Sequence, residues 1–357
     1  MRALALIVKL PLAAGYGALV RLRLLAYRRG WIKSQALGIP AIAIGNLTAG
    51  GTGKTPVVSW FLRQAQSAGL GVACLTRGYG RRTLTTMSRV RVEDRTPIDP
   101  RAIGDEVAML AAAHPSIPFF VGASRVESAR LARVTDAPRL LVLDDAYQHL
   151  RAERDLNVLL VDAQQGFGNG WVLPMGPLRE PVREVHRADA VLITKSNVGD
   201  PARIEAQLKS LGLRVPVFRC SYLPTHLRRL DGKLQHPAEW LAGKNAALLC
   251  GIARPEAFRS TVAALGAVVT AMETRPDHHG YPERDIAALS GQIAGGSAGG
   301  DPAPVWVTTE KDAVKLRGRL TPRAQEALWV LVMEAVPDPD AQAFFLDRIR
   351  ALTVKLP

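Results

Sequence analysis

The chain has 357 residues, enough for two domains, and 48% of them are hydrophobic, which excludes a disordered or fibrous protein. Its formal net charge is +14, and all of it resides at the front: fourteen Lys and Arg precede the first acid, Glu93, and the remaining 32 basic residues balance the 32 acidic ones. A uniformly basic surface would suit nucleic acid, whereas this split points to one surface meeting something anionic. Three cysteines, Cys74, Cys220 and Cys250, lie far apart with no C-x-x-C spacing, so neither a disulfide framework nor a zinc site is implied.

Residues 3–20, ALALIVKLPLAAGYGALV, are apolar apart from Lys9 and run into RLRLLAYRRGWIK, where Arg21, Arg23, Arg28, Arg29 and Lys33 surround Tyr27 and Trp31. Apolar length, a cationic flank and interfacial aromatics are membrane features. A cleavable signal fits poorly, because no small-residue cleavage site precedes the next segment. A full span and a helix lying in the interface both remain open, as does a core helix of a soluble domain.

Next comes AIAIGNLTAGGTGKTPVVSWFL, residues 41–62: a β-rich segment, a glycine-dense loop ending in Gly-Lys-Thr, then a helix. Gly50, Gly51 and Gly53 let backbone N–H groups turn around phosphate oxygens, Lys54 adds a point charge near the β- and γ-phosphates, and the Thr55 hydroxyl is placed to ligate Mg²⁺. The loop from Thr48 through Ala49, Gly50, Gly51, Thr52, Gly53, Lys54 and Thr55 is therefore the expected nucleotide cradle. Thr48 stands where the strict pattern has a glycine. Pro56 fits the first helical turn, which has no acceptor for its missing N–H.

Further strands are expected at 71–76, 139–145, 156–163, 188–195 and 215–219, with helices between them including SWFLRQAQSAG, DEVAMLAAA and RVESARLARV. Poorly alternating apolar runs of this kind suit a parallel sheet buried on both faces. Asp231-Gly232 lies within a hairpin-like stretch, FRCSYLPTHLRRLDGKLQHP. A second α/β unit follows, with strand candidates at 246–252, 267–273, 305–314 and 328–335 and a loop-like AGGSAGGDPAP at 294–304. The expected organisation is an N-terminal membrane-associated helix over 1–33, a P-loop nucleotide-binding domain over 34–216, a hairpin-like linker over 217–236 and a smaller α/β domain over 237–357.

Asp144 and Asp145 end the apolar strand RLLVLDD, where carboxylates that order Mg²⁺ are expected. His149 is four residues on, facing either the same cleft or the core. Asp105 opens a helical pattern and reads equally well as an N-cap. Asp277, His278 and His279 form an acidic, imidazole-rich loop between Pro276 and Gly280, better suited to proton abstraction than to holding one metal ion. RGYGRR (77–82) is a basic loop after a strand, PMGPLREP presents Arg179 and Glu180 between prolines, and TKSN and TEKD each suggest a base-reading loop. From these residues alone, a membrane-associated P-loop switch and a structural adaptor compete with an enzyme.

GNLTAGGTGKTP, RGYGRR, GDE, DDAYQH, GPLREP, DHH and TEKD, in this order behind a basic apolar N-terminus, resemble the tetraacyldisaccharide 4'-kinase family over nearly the entire chain. Ala146 stands where the family usually has a glycine. The resemblance implies transfer of the ATP γ-phosphoryl to the 4'-hydroxyl of an acylated glucosamine disaccharide 1-phosphate, giving lipid IVA. It implies Mg²⁺, work at the inner leaflet on the cytoplasmic face of the bacterial inner membrane, and no nucleic-acid partner. By the same resemblance Asp105 is the base, tuned by His278, and Lys54, Thr55, Asp144, Asp145 and Glu180 hold ATP and Mg²⁺.

Overall fold

The computed structural model describes residues 2–50, 53–79, 81, 87–94, 99–295 and 303–354. Gly51 and Thr52 of the cradle, Arg82 and most of the 294–304 segment fall outside them. In chain order the elements are α1 (Arg2–Arg28), β1 (Ala41–Asn46), α2 (Lys54–Ser67), β2 (Val72–Thr76), β3 (Ser88–Val90), α3 (Pro100–Ile103), α4 (Asp105–Ala113), β4 (Phe119–Val121), α5 (Arg125–Thr135), β5 (Leu140–Asp144), β6 (Leu156–Asp162), β7 (Ala190–Thr194) and α6 (Pro201–Ser210). After them come β8 (Val217–Arg229), β9 (Gln235–Pro237), β10 (Asn245–Cys250), α7 (Pro255–Ala264), β11 (Val268–Thr274), α8 (Glu283–Ala294), β12 (Val305–Thr309), α9 (Glu310–Leu316), α10 (Pro322–Ala327), β13 (Leu328–Pro337) and α11 (Pro339–Val354).

The strands join into one mixed, mostly parallel sheet in the order β11-β10-β12-β13-β8-β7-β6-β1-β5-β2-β4-β3, with β9 paired to β8. The central strands β1, β2, β5, β6 and β7 are buried along their whole length, as continuous apolar runs covered on both faces require. Ile42, Ile44, Val58, Phe61, Phe119 and Phe345 share the largest cluster, so α2 and the C-terminal α11 close one face together. Phe61 and Phe345 meet edge-on with centroids 5.0 Å apart.

The hairpin-like stretch is longer than a linker: β8 runs for 13 residues. Its start pairs parallel with β7, and Cys220 to Arg229 pair antiparallel with β13, so both halves of the chain share this strand. The expected strand at 305–314 ends at Thr309, whose hydroxyl accepts from Asp312 N and starts α9. A Thr followed by Glu, Lys and Asp favours a helix start over strand continuation.

The apolar and basic parts of the N-terminus form the single helix α1, with Pro11 inside it. Ala13, Gly17 and Leu24 face the body and are buried, while Leu10, Leu12, Leu19, Leu22 and Leu25 stay exposed, followed by Trp31 and Ile32. No helix among the described residues is long and apolar enough to cross a membrane. Tyr16 Oη donates to Arg179 O (2.8 Å), Arg23 to Gln148 O (2.7 Å) and Arg28 to Glu184 (2.7 Å), fastening α1 to the body.

Candidate active site

β1 delivers the loop and α2 receives it. Gly53 adopts φ 73° at the N-cap of α2, a left-handed conformation that favours glycine. Lys54 is buried; its ammonium donates to Asn46 Oδ1 at 3.2 Å and lies 3.6 Å from Asp145. Asn46 also donates to Thr48 O and Oγ1, which ties the loop entrance to the end of β1. The segment around Leu178 runs beside this entrance: Ala49 N donates to Pro177 O (2.6 Å) and Arg179 N to Leu47 O (2.7 Å). The role of Asn46 was missed in the sequence, although a buried amide at a strand end is a recognisable signal.

Asp144 and Asp145 stand at the end of β5, across from Lys54, and their environments differ. Burial pushes the Asp144 carboxyl up to about 6, helped by the neighbouring carboxylates of Glu106 and Asp145. Burial also acts on Asp145, but Lys54 and Arg179 outweigh it and hold this group below the usual carboxylate range. Arg179 Nη1 reaches both Asp145 oxygens, at 3.0 and 2.9 Å. The left-handed residue of this turn is Asp145, with φ 47°, and not Ala146. Position 146 therefore needs no glycine.

Oxygen-only donors suit a hard cation such as Mg²⁺, which uses one or two carboxylates and completes its shell with water and phosphate oxygens. Among the described residues no group of three or more His, Cys, Asp or Glu forms a full protein cage. Asp144 and Asp145, adjacent at the end of β5, supply two such carboxylates. The buried Glu180 carboxylate pairs with Arg187, approaches Arg23 (3.9 Å) and accepts from Gln148 (3.4 Å), whose amide also donates to Asn46 O (2.9 Å). His149 is kept neutral, since burial and then the nearby Arg125 guanidinium drive it down to about 3.

The second cluster joins residues 173 positions apart. His278 Nδ1 lies 3.2 Å from Asp105 Oδ2, and Lys315 Nζ is 2.9 Å from the same oxygen. Asp105 is the first residue of α4, after Gly104 at φ 97°; a Cβ there would come within 2.6 Å of Tyr79 O in the RGYGRR loop. His278 is itself left-handed, with φ 61°, and Asp277 accepts from its N–H. His279 turns away to Asp285, at 2.7 Å. α4 packs against α2, the helix that Lys54 begins.

Both expected base-reading loops are otherwise engaged. In TKSN, Lys195 pairs with Asp162 at 2.6 Å and Asn197 exchanges hydrogen bonds with the Tyr222 backbone. In TEKD, Asp312 is fully buried and accepts from Gly251 N and Tyr281 Oη, while Lys311 pairs with Asp277 at 2.6 Å. Burial pushes Glu310 up to about 7. TEKD braces the histidine loop.

The profile of the tetraacyldisaccharide-1-P 4'-kinase family matches residues 5–350. Among similar proteins, the tetraacyldisaccharide 4'-kinase of Geobacter sulfurreducens is 37% identical over 349 residues, covering 98% of this chain and 94% of that protein. The enzyme of the same name from Anaeromyxobacter dehalogenans is 38% identical over 330 residues, covering 90% and 84%. A crystal structure of LpxK from Aquifex aeolicus in complex with ATP superposes with a TM-score of 0.77 at 25% identity, covering 98% of this chain and 99% of that one.

Proposed function

The chain belongs to the tetraacyldisaccharide-1-phosphate 4'-kinase family, and from that premise we propose how its residues divide the work. As a kinase of this family it transfers the γ-phosphoryl of ATP to the 4'-hydroxyl of the acylated disaccharide 1-phosphate. The glycine loop and Lys54 hold the polyphosphate, and Thr55, Asp144 and Asp145 hold Mg²⁺. When bound, Mg²⁺ neutralises charge on the phosphate oxygens. Asp145, kept ionised by Lys54 and Arg179, offers a ready oxygen, while Asp144, costly to ionise when alone, gains most from a cation.

Asp105 is the base. As the sugar oxygen bonds to the γ-phosphorus and the β–γ bridging bond breaks, the hydroxyl proton passes to the Asp105 carboxylate. The transition state is loose, so this group need only accept the proton late, and positioning dominates. His278 orients it. The observation that carries the assignment is the 3.2 Å contact between Asp105 and His278, at the start of a helix that packs against α2. Glu180 supports α1 and the 180–187 segment through Arg23 and Arg187.

The exposed leucines of α1, with Trp31 and the cationic flank, form the surface that meets the anionic inner leaflet. ATP labelled at the γ-phosphate, offered with the disaccharide 1-phosphate in detergent micelles, tests the assignment. Label should enter lipid with the native chain, and Asp105→Ala should lower kcat at least about 100-fold with ATP affinity retained. A rate within twofold of the native enzyme would remove Asp105 from the base role.

A further inference from the structure

Helix α9 carries Lys311 and Lys315 four residues apart, one turn along the same face. Lys315 is only 5% exposed, and its ammonium finds no acceptor in hydrogen-bond geometry among the described residues. Its close partner is Asp105 Oδ2, as an ion pair at 2.9 Å. Burying an ammonium with its donors unspent is expensive, and a side chain needed only for packing would be better served by methionine or leucine. The cation is held there by the carboxylate it faces.

Lys311 acts on the other partner. Its ammonium sits 2.6 Å from Asp277 Oδ1 and 3.4 Å from His278 Nε2. An ammonium only donates, so Nε2 is the acceptor and the ring proton is on Nδ1, facing Asp105. Lys315 and His278 then both address Oδ2 of Asp105. Oδ1 has no partner among the described residues and is left for the acceptor hydroxyl.

We propose that Lys315 and Lys311 are positioning residues for phosphoryl transfer: Lys315 fixes Oδ2 of Asp105 so that Oδ1 meets the sugar hydroxyl, and Lys311 fixes the ring that shares Oδ2. The proposal rests on Asp105 being the base. Neither lysine touches the reacting atoms. Glu106 beside Asp105, and Asp277 between Lys311 and His278, are the other charges in this cluster.

The test compares Lys315→Met, Lys315→Arg, Lys311→Met and Asp105→Ala in the full chain, with the γ-labelled ATP assay run at steady state and with enzyme in excess. Lys315→Met should lower kcat about tenfold or more while the KM for ATP changes less than about twofold, and Lys315→Arg should recover most of the loss. Lys311→Met should lower kcat less. Adding Lys315→Met to Asp105→Ala should cause no further fall, because the lysine acts only through that carboxylate. A Lys315→Met enzyme within twofold of native kcat, beside an Asp105→Ala enzyme slowed about 100-fold, would overturn the positioning role and leave the base assignment standing. Native rates in Asp105→Ala would instead remove the base assignment. If the methionine variant does not fold, Lys315→Gln, which keeps donors but no charge, is held to the same criterion.

Discussion

The hydroxyl of Tyr222, in β8, donates to the main-chain carbonyl of Gly53, 169 residues earlier in the chain. The ring lies so close that a Cβ at Gly53 would come within 2.3 Å of it. A strand shared by both halves therefore holds the phosphate loop from behind.

Tyr222→Phe removes that hydrogen bond, a change of about 1 kcal/mol, and should raise the KM for ATP several-fold with a smaller effect on kcat. Gly53→Ala should be far worse, since it meets both the ring and a left-handed φ. Equilibrium nucleotide binding measures both. Native affinity in Gly53→Ala would contradict the close packing.

Lys54→Ala and Thr55→Ala should each cost about two orders of magnitude or more in phosphoryl transfer, as charge neutralisation or a Mg²⁺ ligand is lost. For Thr55→Ala the loss should shrink as Mg²⁺ concentration rises. Near-native turnover in both folded variants would disprove the nucleotide-site assignment.

The two adjacent imidazoles should separate cleanly. His278 contacts Asp105 and His279 contacts Asp285, so His278→Ala should reduce kcat strongly while His279→Ala chiefly lowers thermal stability. Equal kcat losses in the two variants, at equal melting temperatures, would argue against an orienting role specific to His278.

Stability should fall in mild acid for a reason remote from the site. Burial, then the Arg63 guanidinium, holds His114 down to about 4, against 6.5 when exposed, and its ring is 2.7 Å from Ser59 Oγ. The unfolded chain thus binds more protons between these values, so this histidine contributes stability above pH 6.5 that is lost as pH drops toward 4. The loss is about 3 kcal/mol at most. His149, held down to about 3, acts in the same direction. In His114→Phe, the fall in melting temperature between pH 7 and pH 4.5 should be visibly shallower.

The arginines of the first segment should divide into two kinds. Arg21 and Arg29 are exposed and their side chains make no hydrogen bond or ion pair among the described residues, whereas Arg23 and Arg28 bind the body. Changing Arg21 and Arg29 to Gln should weaken attachment to anionic vesicles by about 1 kcal/mol each and reduce its salt sensitivity. Arg28→Gln should mainly lower melting temperature. Unchanged vesicle binding in the double variant would show that this flank does not face lipid.

The sheet and the phosphate loop were legible because both rest on local pattern: apolar runs at 139–145 and 156–163, and glycines before Lys54. Thr309 was read as strand interior because its apolar neighbours mask a cap three residues before Asp312. Arg179 was visible only as a cation between prolines, since its partner Asp145 lies 34 residues earlier. Lys315 carried no signal at all. A lysine on a short helix reads as solvated until the fold brings Asp105 to it from more than 200 residues away.

In the strand order, β11 is at one extreme of the sheet and β4 and β3 at the other. Yet Asp105, on the connection between β3 and β4, touches His278, which follows β11. Segments that follow strands at opposite extremes of the sheet therefore meet at Asp105 and His278. Between those extremes in the strand order lies β8, where parallel pairing gives way to antiparallel. A substitution in β8 that shifts β13 against β7 would change the spacing between Asp105 and His278 without touching either residue.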